Sequence, residues 1–203
     1  MSSEASQRKT SREAWQELPA LARRAVETYV REGRLLEAES AGPPDDPDAA
    51  SLLSHPAACF VSIKTRDGEL RGCIGTIEPD KRTLAEEIVT NAAHAATRDP
   101  RFPPIGETEL SNLRYSVDVL HAPEPAEFED LDPSLYGVIV EDEAGRRRGL
   151  LLPDIEGVET AAQQVQIAAR KAGIAPGQSV RLYRFRVQRF RENQTQQTRE
   201  QGA

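Results

Sequence analysis

The stretch ACFVSIKTRDGELRGCIGTI, residues 58–77, decides the fold. Cys59, Val61 and Ile63 alternate with Phe60, Ser62 and Lys64, the two-residue period of a strand with one buried face. Asp67-Gly68 is a tight-turn dipeptide, and the chain returns as a second strand over residues 69–77. A two-residue turn there sets Val61 opposite Ile74 and Ser62 opposite Cys73. Cys59 and Cys73 then lie on opposite faces of the hairpin, where they form no disulfide. The returning strand contains Gly72 and Gly75, which weaken a strand unless a backbone or a ligand must come close.

Downstream, Thr83 and Glu86 form a capping box, and Leu84, Ile88, Ala92 and Ala95 share one helical face. This helix must end near Arg98, because Pro100 disfavours helical geometry at Asp99. DPRFPP at 99–104 is a rigid irregular segment. Leu113, Tyr115, Val117 and Val119 alternate as a third strand, followed by a proline-punctuated turn at 122–125. Residues 138–141 and 149–152 read as two strands joined through 142–148. A helix follows over roughly 159–171, closed by Gly173, and then a last strand over 180–190. Upstream, Thr10 and Glu13 open a helix over 11–31 with an apolar stripe of Trp15, Leu18, Ala22, Ala25 and Tyr29. SAGPPDDPDAA at 40–50 reads as a connector. Polar composition marks 1–9 and 191–203 as tails that bury too little to order, leaving a domain over 10–190. Hairpins interspersed with helices, without regular alternation, predict an α+β fold: a mainly antiparallel sheet with packed helices, in one domain or one domain of two lobes.

Composition narrows the function. The chain has 203 residues with 33 acidic and 26 basic side chains, a formal charge of −7, which argues against a broad nucleic-acid surface. Two cysteines in such a length make no disulfide scaffold. No apolar run approaches the ~20 residues that span a bilayer, and residues 1–15 lack the apolar centre of an export signal, so a cytoplasmic location is expected. The sequence has no Cys/His zinc spacing, no P-loop, no dinucleotide fingerprint and no Gly-x-Ser-x-Gly elbow. No metal site and no cofactor is therefore predicted.

Cys73 is the sharpest chemical candidate. It sits between Gly72 and Gly75 with Arg71 beside it, where glycines leave the backbone open to a ligand and a guanidinium favours a thiolate. The competing reading is an inert cysteine in a Gly-bent strand. His94 lies off the apolar stripe of its helix, either as a general base near the thiol or as a helix-end histidine. Asp99 and Arg101 are held by neighbouring prolines, to frame an anionic ligand through Arg101 or to tether a helix end. Arg146, Arg147 and Arg148 fit an exposed hairpin tip. Arg181, Arg184, Arg186, Arg189 and Arg191, interleaved with Tyr183 and Phe185, suit either RNA or the wet face of an edge strand.

LRGCIG at 70–75, the alanine-rich helix running into DPRFPP, VLHAPEP at 119–125, RRGLLLP at 147–153 and RKAGI at 170–174 together resemble the AMMECR domain family, whose prokaryotic members are also called AmmeMemoRadiSam system protein A. The resemblance covers roughly residues 15–190 in the family's order. It implies a two-lobed α+β domain with a cleft at RGCIG, and Memo-like and radical-SAM proteins as partners in a shared modification pathway. Carried onto matching positions, the motif residues are Arg71, Gly72, Cys73, Ile74 and Gly75, then Asp99, Pro100, Arg101 and Phe102, with Pro123 and Glu124. Two departures stand out: SVDVL at 116–120 has its acid at Asp118 rather than at the first position, and Ala169 stands where some members carry a cysteine. The reading reached is a thiol-dependent enzyme or modification factor acting on a small or peptide-like substrate. Cys73 is the nucleophile, His94 and Asp99 handle the proton, and Arg71, Gly72, Gly75, Arg101 and Glu124 bind the ligand. A non-catalytic interaction module is the alternative, and RNA binding a weaker one.

Overall fold

The structure, a computed structural model, describes residues 2–38 and 47–192, with side chains from residue 16 onward. Its elements in chain order are α1 (Ser2–Glu32), α2 (Pro47–Ser54), β1 (Cys59–Thr65), β2 (Leu70–Gly75), α3 (Leu84–Thr97), β3 (Leu113–Leu120), β4 (Glu124–Ala126), β5 (Gly137–Asp142), β6 (Arg148–Leu151), α4 (Ala161–Lys171), β7 (Val180–Phe185) and β8 (Val187–Arg191). Two four-stranded sheets form, in the orders β2-β1-β3-β8 and β4-β7-β5-β6. The α+β class read from the sequence holds. The chain divides into two compact units, Met1–Val117 with Phe190–Ala203, and Asp118–Arg189.

In the first unit the hairpin has the expected register, Val61 opposite Ile74 and Ser62 opposite Cys73, but reaches it by another route. The turn has three residues, closed by the Thr65 amide donating to Glu69 O at 2.8 Å, with Gly68 at φ +94°. A bulge then follows: Lys64 pairs with Leu70 but Ile63 with Gly72, so Arg71 is the extra residue. The longer turn and the bulge offset one another. Val61 and Ile63 are fully buried, and α3 lies against this hairpin. Thr83 caps α3, its side chain accepting from the Glu86 amide, and Leu84, Ile88, Ala92 and Ala95 are buried as expected. A Cβ on Gly72 would stand 2.1 Å from the Ala95 carbonyl oxygen, so only glycine lets helix and strand come this close. The Phe60 ring covers Gly75. Both glycines thus face protein atoms rather than open backbone.

In the second unit Val138, Val140, Ala168 and Ile174 form the core between α4 and its sheet. Thr160 caps α4, with Gln163 completing the box. Asp118 on β3 and Arg189 on β8 form a two-pronged ion pair at 2.6 and 3.0 Å.

Several expectations are corrected. Residues 2–9 continue α1 rather than forming a tail. Glu4, Ala5, Gln7, Arg8 and Lys9 are good helix formers, and lengthening an existing helix is far easier than starting one. Of the connector, 40–46 lie outside the described residues. Its end is helical: Pro47 opens α2 at the position where its missing N–H costs nothing, and Ala49 and Leu53 bury. The single strand over 180–190 is two strands in different sheets, parted at Arg186. Glu192, placed in a tail by composition, accepts from Arg23 Nε and Nη2 at 2.7 and 2.8 Å and from the Tyr115 amide at 3.0 Å, which anchors the chain beyond β8. Residues 193–203 lie outside the described residues.

Gly72→Ala is expected to lower stability by about 1–3 kcal/mol, the usual cost of overpacking a tight contact. Gly106→Ala, where the added Cβ meets nothing nearer than 3.8 Å, should be neutral or slightly stabilising. Urea midpoints of the two variants beside the parent check the pair, and equal midpoints would refute the packing role of Gly72.

Candidate functional site

β2 is an edge strand, so the outward N–H and C=O groups of Cys73 have no strand to pair with. The segment after α3 supplies the partners. Asp99, 4% exposed, accepts the Cys73 amide through Oδ2 at 2.8 Å, and Arg101 Nη2 reaches Cys73 O at 3.5 Å. Asp99 in turn binds Arg101 through its amide at 3.1 Å, Nε at 2.9 Å and Nη2 at 2.7 Å. The Arg101 guanidinium, then burial opposing it, then the Cys73 and Arg101 amides act on the Asp99 carboxyl. The balance pushes it down to about 2. The Arg101 side chain remains half exposed, over the Phe102 ring at 5.4 Å.

The strand returns the contact. Arg71, the bulged residue, donates through Nη1 to Pro103 O at 2.8 Å and through Nη2 to Pro104 O at 3.4 Å. Its Nε and Nη2 hold Glu109 at 2.8 and 3.1 Å, which keeps that carboxyl below its ordinary range. RGCIG and DPRFPP are therefore two halves of one interlock: an acid from the loop holds the strand, and a guanidinium from the strand holds the loop.

The thiol lies on the face away from α3. Cys73 is partly exposed, and its Sγ accepts the Ser62 hydroxyl at 3.2 Å, the cross-strand neighbour that the register implied. Cys59 is fully buried, and no disulfide joins the two. Below the site, buried Glu87 accepts from Thr76 Oγ1 at 2.6 Å and from the Asp80 and Lys81 amides at 2.9 Å, which fixes the segment leaving β2.

The structure brings together Cys73, Asp99, Arg101 and, across the loop, Arg71. His94 is not part of this set. Burial first, then Arg98 and Lys81, hold its imidazole below the ordinary range, and its ring bonds to neither Cys73 nor Asp99 among the described residues. Arg71 is spent on Glu109 and two carbonyls. Gly72 and Gly75 are explained by packing. Glu124 belongs to the second unit, on β4, where it pairs with Arg184 Nε at 2.6 Å. Much of the arginine stripe is likewise committed: Arg181 to Glu141 at 2.7 Å, Arg184 to Glu124 and Arg189 to Asp118. The displaced acid Asp118 is thus a fold-holding partner. Sequence reasoning missed Ser62, Glu87 and Glu109 as parts of the site. Only Ser62 had a signal, its register opposite the thiol.

These features define an α+β protein with a motif-locked thiol. The sequence profile of the AMMECR1 family matches residues 19–190, and the chain belongs to that family. A Thermotoga maritima protein is 48% identical over 170 residues, covering 83% of this chain and 93% of its own. A Clostridium acetobutylicum protein is 42% identical over 175 residues, but those span only 35% of its length. The crystal structure of uncharacterized protein PH0010 from Pyrococcus horikoshii superposes with a TM-score of 0.74 at 32% identity, covering 86% of this chain and 90% of that one.

Because its folded carboxyl titrates below the unfolded one, Asp99 contributes stability that is complete above about pH 4 and lost as pH falls towards 2. The amount is on the order of 2 kcal/mol. Asp99→Asn should be less stable at pH 7 and should lack that share of the acid dependence. Denaturant titrations at pH 7, 4 and 3 check this, and parallel pH curves for parent and variant would refute it.

Proposed function

We propose that Cys73 is the functional group of this AMMECR1-family chain, a thiol presented to a small or peptide-like substrate as the centre of a modification factor. The observation that carries the reading is its positioning. The amide is held by Asp99, the carbonyl by Arg101 and the sulfur by Ser62, while the side chain stays partly exposed. The backbone bonds would close this strand edge for any residue, but they also fix where the sulfur stands, and a reacting atom needs such positioning together with exposure. Arg101, half exposed beside the thiol, is the group suited to an anionic part of the substrate. Memo-like and radical-SAM proteins are the partners to which the family resemblance leads, in a cytoplasmic setting. No helix among the described residues is long and apolar enough to cross a membrane.

A second reading has its own observation. Asp99 is pushed down to about 2, so it stays deprotonated near neutral pH, and Arg71 is spent on Glu109 and two carbonyls. A surface so thoroughly braced also suits docking a partner without chemistry.

Alkylation separates the two. On the thiol reading, iodoacetamide labels Cys73 at pH 7 faster than glutathione despite its partial burial, at least about tenfold faster than Cys59, and Arg101→Ala slows it severalfold. Slow labelling shared equally by both cysteines, or a Cys73 rate indifferent to Arg101, would sink the thiol reading and leave the docking surface.

A further inference from the structure

The second unit holds a cavity of about 290 Å³, lined by His121, Glu124, Tyr136, Arg184, Phe185 and Arg186 among others. We infer that it is a binding site for a small organic carboxylate. It shares no residue with the Cys73 site, so the two readings stand or fall separately.

The charges select the class. Arg184 lies 4.6 Å from the Tyr136 ring centre, but its charge is spoken for: Nε binds Glu124 at 2.6 Å and Nη1 donates to Asp130 O at 3.1 Å. Arg186 sits 5.1 Å from the same ring centre and donates Nη2 to the Tyr136 hydroxyl at 3.0 Å. Among the described residues no carboxylate pairs with Arg186, and it is exposed. The Arg184–Glu124 pair cancels within the lining, which leaves the Arg186 guanidinium as the match for one negative charge. A guanidinium presents parallel N–H groups at the spacing of carboxylate oxygens. Since the Tyr136 oxygen accepts from Arg186, its own proton is left to donate into the cavity. Glu124, in the same wall, opposes a second negative charge and so disfavours a phosphate dianion.

The donors are also preset. The Tyr136 amide donates to Asp132 O at 2.7 Å, and its carbonyl accepts from Gln164 Nε2 at 2.9 Å, which fixes the ring from behind. The His121 amide donates to Arg186 O at 2.9 Å, so the two ends of the wall are tied through the backbone. A small ligand binding here orders few side chains, and the volume sits at the lower end of small-molecule pockets.

The test is an NMR titration of the full chain, labelled with nitrogen-15, using sodium benzoate as a single carboxylate on a flat apolar ring. Saturable shifts in the amides of His121 and Glu124 and in the Arg186 Nε–H are expected, with Kd in the millimolar range. Arg186→Gln should weaken binding at least about tenfold, and Tyr136→Phe severalfold. Arg181→Gln, on β7 but outside the cavity lining and paired with Glu141, should leave it unchanged. Inorganic phosphate at pH 7.5 should bind more weakly than benzoate. Absent or unsaturable shifts, full binding by a folded Arg186→Gln variant, or phosphate binding at least as tightly as benzoate would each overturn the assignment.

Discussion

The carboxylate of Asp99 is the contact on which the first unit's site depends. It sits where α3 ends and closes the edge of β2 at Cys73, while gripping the guanidinium that reaches the carbonyl of the same residue. It can reach only because Gly72 lets α3 settle with the Ala95 carbonyl where a side chain would otherwise be. The order of causes runs from a missing Cβ, to a close helix, to a carboxylate delivered at the strand edge. Arg71 closes the circuit from the strand side, and the bulge that frees it from the regular pairing is what offsets the three-residue turn. Glycine, bulge, acid and arginine are then one construction, which explains why LRGCIG and DPRFPP occur together.

The second unit repeats two of these devices without the thiol. Gly149 of β6 lies under the Ala168 carbonyl of α4 as Gly72 lies under Ala95, with a hypothetical Cβ at 2.3 Å. Gly137 of β5 is covered by the ring of its cross-strand partner Phe185, as Gly75 is covered by Phe60. An aromatic over a glycine restores the apolar area and rigidity that glycine forfeits in a strand. Each unit is therefore an antiparallel sheet with a helix pressed close on a glycine. The units differ in what they display: a sulfur on β2, and two arginines about a tyrosine at the end of β7.

The sequence carried as much of this as local chemistry can express. Period-two apolar residues, Asp67-Gly68, the Thr83–Glu86 pair and the terminator Gly173 each settle structure within a few residues, so β1, β2, α3 and α4 were legible. The α2 helix was not, because a Pro/Asp-rich composition argues for a connector until Pro47 is recognised as a helix opener. The break at Arg186 was hidden because alternation continues through it, and only the assignment of β7 and β8 to different sheets reveals it. Cys73, Asp99 and Arg101 were named as candidates together, and the structure bonds them to one another. What they do to one another was not visible, since an acid that holds a backbone amide and an acid that carries a proton look alike in a string of letters. Glu109 and Glu192 act through long-range partners, and Glu87 through the loop leading into its own helix, contacts for which one sequence without its fold has no sign.

The spent charges around Cys73 constrain any chemistry there. Arg71 and Glu109 neutralise each other, Asp99 is committed to Arg101 and the Cys73 amide, and His94 is held below its ordinary range by burial first and then by the cations Arg98 and Lys81. Among the described residues, the Ser62-bonded thiol stays partly exposed beside the half-exposed Arg101. Asp99, held down to about 2, stays ionised near neutral pH, so the acid that closes the strand edge is a structural anchor there rather than a proton carrier.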